Sequence, residues 1–208
     1  MSILFCTPCY GGMVLASHFQ SCLSLKEELT RQGLAHDWLI GINESLVHRA
    51  RMEMVASFLE TTHTHLMFLD ADLEFTPGDV AKVWNLDADI GVGVYAMKKR
   101  GEEWYAAWHK GELVKNLDQF KGPIEVDYAG TGFMLIRRNV IETLHKLHGD
   151  YEGQNKRRVP ALFMTPIHND CLESEDYHFC RIAREAGFKV VMDPSVRLKH
   201  WGQYPYGS

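Results

Sequence analysis

His65-Leu-Met-Phe-Leu-Asp70-Ala-Asp72-Leu-Glu-Phe75 is an apolar run that stops at two carboxylates one residue apart. Its length and polar flanks read as a buried strand. Alternation along extended chain sets Asp70 and Asp72 on one face, and anions that close repel unless a cation or hydrogen-bond donors stand between them. The carboxyl end of a strand is also where open α/β sheets bind ligands. An Asp-x-Asp pair is equally the ordinary polar close of a strand, so its surroundings must decide.

Upstream, residues 3–5 read as a first strand ending in Thr7-Pro8, and Tyr10-Gly11-Gly12 as a loop where backbone can approach a ligand. Leu15, Phe19, Cys22, Leu25 and Leu29 keep helical spacing as far as Gly33. Residues 38–42 form a second strand, and Leu46, Ala50, Met54 and Phe58 mark a second helix. Strand, helix, strand, helix, strand predicts a parallel sheet with right-handed crossovers.

Downstream, Thr76-Pro77-Gly78-Asp79 carries the signs of a helix start, and residues 89–95 form another buried strand. After Lys98-Lys99-Arg100-Gly101 the pattern turns antiparallel: a hairpin over 105–114 turned at Lys110-Gly111, then a strand entered through Gly130-Thr131-Gly132. Asn139 is the expected cap of a helix reaching about His148, and residues 149–160 are the expected mobile loop. Ser174 is the expected cap of a helix that opens on Glu175-Asp176 and stops at Gly187. Residues 188–192 and 196–200 are the last extended pieces, before an aromatic tail over 201–206.

The 208 residues suffice for one large domain with a real core, and 46% hydrophobic with 24% charged residues is ordinary for a soluble globular protein. A net charge of −5 excludes a protein-wide field that attracts nucleic acid or anionic membrane. No apolar run approaches the roughly 20 residues of a membrane span, and the first residues lack the pattern of a signal peptide, so a cytoplasmic protein without membrane insertion is expected. Cys6, Cys9, Cys22, Cys171 and Cys180 are too few and scattered for a disulfide framework. Cys6-Thr-Pro-Cys9 does have the spacing of a redox or zinc pair, with His168-x-x-Cys171 as a distant complement, and a thiol or zinc protein is a competing reading.

In their order and separation these elements resemble the GT-A fold of nucleotide-sugar-dependent glycosyltransferases, in particular the family-2-like branch, over nearly the whole chain. The resemblance rests on Thr7-Pro8 after the first strand, Arg49 and Arg51 on the helix before the Asp-x-Asp strand, Gly130-Thr131-Gly132, Glu175-Asp176 at a helix start, and Lys199-His200 after the last strand. It implies an α/β domain over 1–208 with a Rossmann-like, mainly parallel sheet, helices on both faces and a more antiparallel C-terminal half. Residues 1–100 would bind the nucleotide sugar, and 101–208 would supply the acceptor and catalytic side.

The resemblance also implies roles. Asp72 and Asp70 would hold Mn²⁺ or Mg²⁺ on the diphosphate of a donor such as a UDP-sugar, with Asp70 reaching the ribose and His200 as the third metal ligand; an imidazole tilts the choice toward Mn²⁺. Such a cation stabilises the charge that develops on the departing diphosphate. Asp176 would take the acceptor's proton, with Glu175 as alternate; both equally suit a helix dipole. Thr7, Pro8 and Tyr10 would line the nucleoside site. Arg49 and Arg51, two apart on a helix, cannot share a face, so at most one should reach the diphosphate.

The chain further resembles compact bacteriophage-encoded glycosyltransferases, some of which are thought to modify hydroxymethylated pyrimidines in DNA. On that reading Lys98-Lys99-Arg100 and Lys156-Arg157-Arg158 grip phosphates, Trp104 and Trp108 stack on a base or sugar, and Lys98, Trp108, Gly130, Thr131 and Gly132 form the acceptor side. A glycan, a lipid-linked sugar or a protein side chain are the other acceptors, and a non-catalytic nucleotide-sugar-binding module is the alternative to an enzyme.

Overall fold

The computed structural model describes residues 2–99, 104–153, 156–202 and 205–206. In chain order these form β1 (Ser2–Cys9), a 3-10 turn (Tyr10–Gly12), α1 (Ala16–Arg31), β2 (Ala35–Ile42), α2 (Val47–Leu59), β3 (His65–Leu69), β4 (Leu73–Glu74), α3 (Pro77–Asn85) and β5 (Ile90–Val92). There follow β6 (Ala107–His109), β7 (Glu112–Leu113), β8 (Ile124–Glu125), β9 (Tyr128–Ala129), β10 (Phe133–Arg137), α4 (Arg138–His148), β11 (Asp150–Glu152) and β12 (Arg158–Pro160). The last are β13 (Ile167–His168), β14 (Cys171–Leu172), α5 (Glu175–Glu185), β15 (Val190–Met192), β16 (Lys199–Trp201) and β17 (Pro205–Tyr206).

Seven strands make the main sheet in the order β2-β1-β3-β10-β5-β15-β8. Strands β1, β2 and β3 pair in parallel, as do β5 and β15, whereas β10 runs against both β3 and β5, and β8 against β15. The sheet is buried on both faces, which is why β3 and β10 are continuously apolar, apart from the paired His65 and Arg137 at one end, rather than alternating. Ile3 and Phe5 point toward Leu25 and Leu29 of α1 and Val80 and Val83 of α3. Leu4 and Cys6 point the other way, toward Met54 and Phe58 of α2, Val140 and Leu144 of α4, and Phe179 of α5. On that second face Phe163 stacks on Phe179 at 4.5 Å and meets Phe68 edge-on at 5.4 Å. Each such pair adds about 0.5–1.5 kcal/mol beyond its buried area.

Several local expectations need correction. The first strand runs on through Thr7 and Pro8 to Cys9, paired with β2. Pro8 is tolerated because β3 pairs only as far as Cys6, so one side of β1 is without a partner strand there. The carboxylate pair lies in a turn after β3, closed by the Leu73 N–H on the Asp70 carbonyl at 3.1 Å, rather than on extended chain. In α1 the buried face is His18, Ser21, Leu25 and Leu29, while Phe19 is 54% exposed. The first turns of α1 cover the backbone of β4, which needs hydrogen-bond partners: the His18 ring bonds the Leu73 carbonyl at 3.0 Å, and Ser21 Oγ accepts from the Phe75 N–H at 3.0 Å.

Asn139 does not cap α4, which begins at Arg138 with Arg137 as N-cap. Residues 149–160 are largely a hairpin, β11 against β12, pinned where Arg158 meets Asp150 and Arg157 meets Glu60 at 2.9 Å. Its residues 154 and 155, like Arg100, Gly101, Gln203 and Tyr204, lie outside the described residues. Cys6 and Cys9 do not form a pair: three residues apart on a strand they face opposite sides, Cys6 in the core and Cys9 donating to the Met13 carbonyl at 2.8 Å. Burial pushes the Cys6 thiol far above its usual range, and those of Cys22 and Cys180 up to about 12, which disfavours the thiolate that redox or zinc chemistry needs. Among the described residues no helix is long and apolar enough to cross a membrane.

Candidate active site

The carboxyl ends of β1, β3 and β5 lie side by side, and the antiparallel run of β10 brings its amino end, with Gly130-Thr131-Gly132 before it, to the same edge. The Asp70 N–H bonds the Gly132 carbonyl at 2.8 Å, and the Gly132 N–H bonds Tyr95 Oη at 3.1 Å. A Cβ on Gly132 would come within 2.6 Å of Asp70 Oδ2, and one on Gly130 within 2.5 Å of Tyr95 Oη. The tripeptide is buried, with Thr131 at 1% exposure. Its expected place on an acceptor surface is therefore corrected: the glycines leave room for Asp70 and Tyr95.

Asp70 and Asp72 have separate partners. Asp70 meets Arg51 at 3.1 Å, and Arg51, itself 4% exposed, also approaches Glu175 at 3.7 Å. Burial opposes charge on Arg51, but the acidic groups around it, Asp70 foremost, outweigh it and hold the guanidinium cationic. Arg51 is thus a buried tie between the β3 turn and the start of α5 rather than a group reaching out to a diphosphate. Arg49 leaves the cluster and pairs with Glu44 at 2.6 Å.

Asp72 faces His200. Strand β16 pairs with β4 so that His200 lies opposite Leu73, and the Trp201 N–H bonds the Asp72 carbonyl at 2.9 Å. His200 Nδ1 lies 2.8 Å from the Ala96 carbonyl and its ring meets Tyr95 edge-on at 4.9 Å. A carbonyl only accepts, so Nδ1 carries a proton, and Nε2 lies 3.4 Å from Asp72 Oδ2. The Lys98 ammonium rests on the same oxygen. Burial alone would raise the Asp72 pKa, yet His200 and Lys98 bring it down to about 2, so the group is a carboxylate at any working pH.

This donor set fits a divalent cation. An imidazole whose other ring N–H is held by a backbone carbonyl is how ligating histidines are commonly oriented, and here that ring sets Nε2 beside a carboxylate oxygen. Among the described residues no three His, Cys, Asp or Glu side chains gather to hold a metal, so Asp72 and His200 need completion by substrate phosphates and water, as small hard cations usually do. Asp70, engaged with Arg51, lies apart from that pair.

Across the site, Glu175 and Asp176 open α5 as expected, but the Ser174 hydroxyl bonds the Asp176 carboxylate instead of a backbone N–H. Asp176 Oδ1 also accepts from the Tyr177 N–H at 2.9 Å. Burial raises the Glu175 pKa, the Asp176 charge adds to this and Arg51 opposes it. Beside them Trp108 Nε1 donates to Tyr177 Oη at 2.8 Å, and Tyr128 lies 5.1 Å from the Tyr177 ring. Tyr95, Tyr128, Tyr177 and the Ala96 carbonyl went unread in the sequence. Tyr177 had one signal, its place next to Asp176.

Of the expected nucleoside contacts, Thr7 is 3% exposed and offers a ligand little surface, Pro8 is half-buried, and Tyr10 is 73% exposed. Of the expected phosphate grips, Arg157 and Arg158 are engaged with Glu60 and Asp150, and Lys99 lies over the Trp104 ring at 3.2 Å.

No family model matches the sequence, and no curated protein does. Among solved structures the chain is similar to A197 from STIV, 21% identical over 97% of this chain and 86% of that one, with a TM-score of 0.59. It is also similar to a structure of GalNAc-T7 with UDP, GalNAc and Mn²⁺, 12% identical over 96% of this chain and 42% of that one, with a TM-score of 0.52. At these identities the likeness concerns the course of the chain. The architecture is a GT-A fold, a seven-stranded, mainly parallel sheet between two helical layers.

Proposed function

We propose that the chain is a metal-dependent glycosyltransferase that moves a sugar from a nucleoside-diphosphate sugar to an acceptor hydroxyl. The observation that carries this reading is the pairing of Asp72 Oδ2 with Nε2 of a tethered His200, 3.4 Å apart at the carboxyl edge of the sheet. Bound there with the donor, Mn²⁺ or Mg²⁺ would supply positive charge to the departing diphosphate. Asp72 and His200 hold that position, and the turn after β3 fixes Asp72. The first hundred residues, joined by His200, make the donor side, with Tyr10 at its mouth for the nucleoside. UDP with Mn²⁺ is the pair to try first, consistent with the ligands named for GalNAc-T7.

The acceptor oxygen forms a bond to the anomeric carbon as the bond to the diphosphate breaks, its electron pair leaving with the nucleotide. Asp176 takes the acceptor proton. One of its oxygens is held by Ser174 and the Tyr177 N–H, which fixes the other for that task. Glu175, turned inward on Arg51, is the alternate base. Trp108, Tyr128 and Tyr177 give the acceptor an aromatic wall. A hydroxymethylated pyrimidine in DNA is the first acceptor to test, ahead of glycan, lipid-linked and protein hydroxyls.

Incubating the protein with a panel of nucleotide sugars and Mn²⁺ should give slow donor hydrolysis, abolished by chelator and by Asp72→Asn. Turnover that survives both treatments rejects the mechanism. Donor binding lost in Asp72→Asn, with no turnover of any donor or acceptor, would leave a binding module instead.

A further inference from the structure

The Lys98 ammonium and His200 Nε2 converge on one oxygen, Asp72 Oδ2. Of the two, the Lys98 ammonium sits nearer to that oxygen, and it is the one carried on a side chain that no backbone carbonyl among the described residues tethers. Resting on the reading above, we propose that Lys98 is an exchangeable counter-cation: it holds Asp72 until a divalent ion takes Oδ2 and Nε2, and the freed ammonium then engages the donor's diphosphate.

The surroundings suit a side chain fixed at its root and free at its tip. Tyr95 is locked between Gly132 and His200, and the Ala96 carbonyl is tied to His200, so the backbone leading to Lys98 belongs to the site itself. The stem crosses Gly202, where a Cβ would lie 3.3 Å from Lys98 Cδ. Beyond it the tip is open to solvent, with the Lys98 and Asp72 side chains 37% and 35% exposed. A compact ammonium on a flexible four-carbon stem can leave one anion for another nearby. A divalent ion on Oδ2 repels the ammonium from that oxygen, and the incoming diphosphate offers it new acceptors a short swing away. Lys98, expected among the acceptor contacts, is thereby placed on the donor side.

The test is Mn²⁺ affinity, read from the electron paramagnetic resonance of free Mn²⁺, for the full chain and for Lys98→Met and Lys98→Arg, with and without UDP. Without nucleotide, Lys98→Met should bind Mn²⁺ about tenfold more tightly than the unaltered chain, and Lys98→Arg should not. Adding UDP should tighten Mn²⁺ binding much less in Lys98→Met than in the unaltered chain. Lys98→Met that binds Mn²⁺ no more tightly without nucleotide overturns the proposal, and Lys98→Gln serves in its place if the first variant fails to fold. Tighter Mn²⁺ in Lys98→Met together with no turnover of any nucleotide sugar would uphold the cation exchange and remove the transferase reading.

Discussion

Arg51, Lys98 and His200, from three separate parts of the chain, give the Asp70–Asp72 pair its meaning. Arg51→Met leaves Asp70 and Glu175 without their shared cation and should lower stability by about 3 kcal/mol in urea unfolding, near the low end for a broken buried pair because Asp70 keeps some exposure. Gly132→Ala drives a methyl into Asp70 Oδ2 and Tyr95 Oη and should cost about 1–3 kcal/mol in the same measurement. His65 carries a pH signature: burial first, and the Arg137 charge second, lower its pKa to about 4. Below about pH 6.5 the unfolded chain takes a proton that the folded chain refuses, so stability should fall as pH drops from there toward 4. Urea titrations across that window should show a shallower slope for His65→Gln; an unchanged slope would remove His65 as the cause. The two carboxylates were legible because an apolar run ended on them. Their separate duties were not, since Arg51, Lys98 and His200 meet them only after the sheet has closed.

At the scale of elements, local chemistry was readable wherever the chain itself supplied the partners. Thr76 and Asp79 form the expected reciprocal cap of α3, with Asp79 Oδ2 accepting from the Thr76 N–H at 2.9 Å, and Thr76→Ala should cost about 1 kcal/mol in thermal or urea unfolding. The hairpin at Lys110-Gly111 formed as read because both residues take positive φ, 52° and 77°. Helix α1 was misread for the opposite reason. Periodicity found Phe19, but the surface beneath the first turns is polar backbone, so a histidine and a serine face inward there. Phe19→Ser should therefore shift stability by about 0.5 kcal/mol or less, whereas Leu25→Ala should cost about 2–5 kcal/mol.

For the molecule as a whole, the order of strands and helices exposed the fold, because alternation of the two predicts crossovers and a parallel sheet. It did not show that β10 enters the sheet between β3 and β5, a long-range pairing that sets Gly132 against Asp70. Nor did it show how the basic residues would be engaged. Among the described residues of the expected cationic grip on DNA phosphates, Arg157 and Arg158 are on carboxylates and Lys98 is on Asp72. The central claim concerns a cation shared by Asp72, His200 and a nucleotide diphosphate. Its most direct test is anomalous diffraction at the manganese edge from crystals of the full chain grown with UDP and Mn²⁺. The account predicts one strong peak in bonding contact with Asp72 Oδ2, His200 Nε2 and the diphosphate oxygens. UDP bound with no manganese between these two side chains would contradict it.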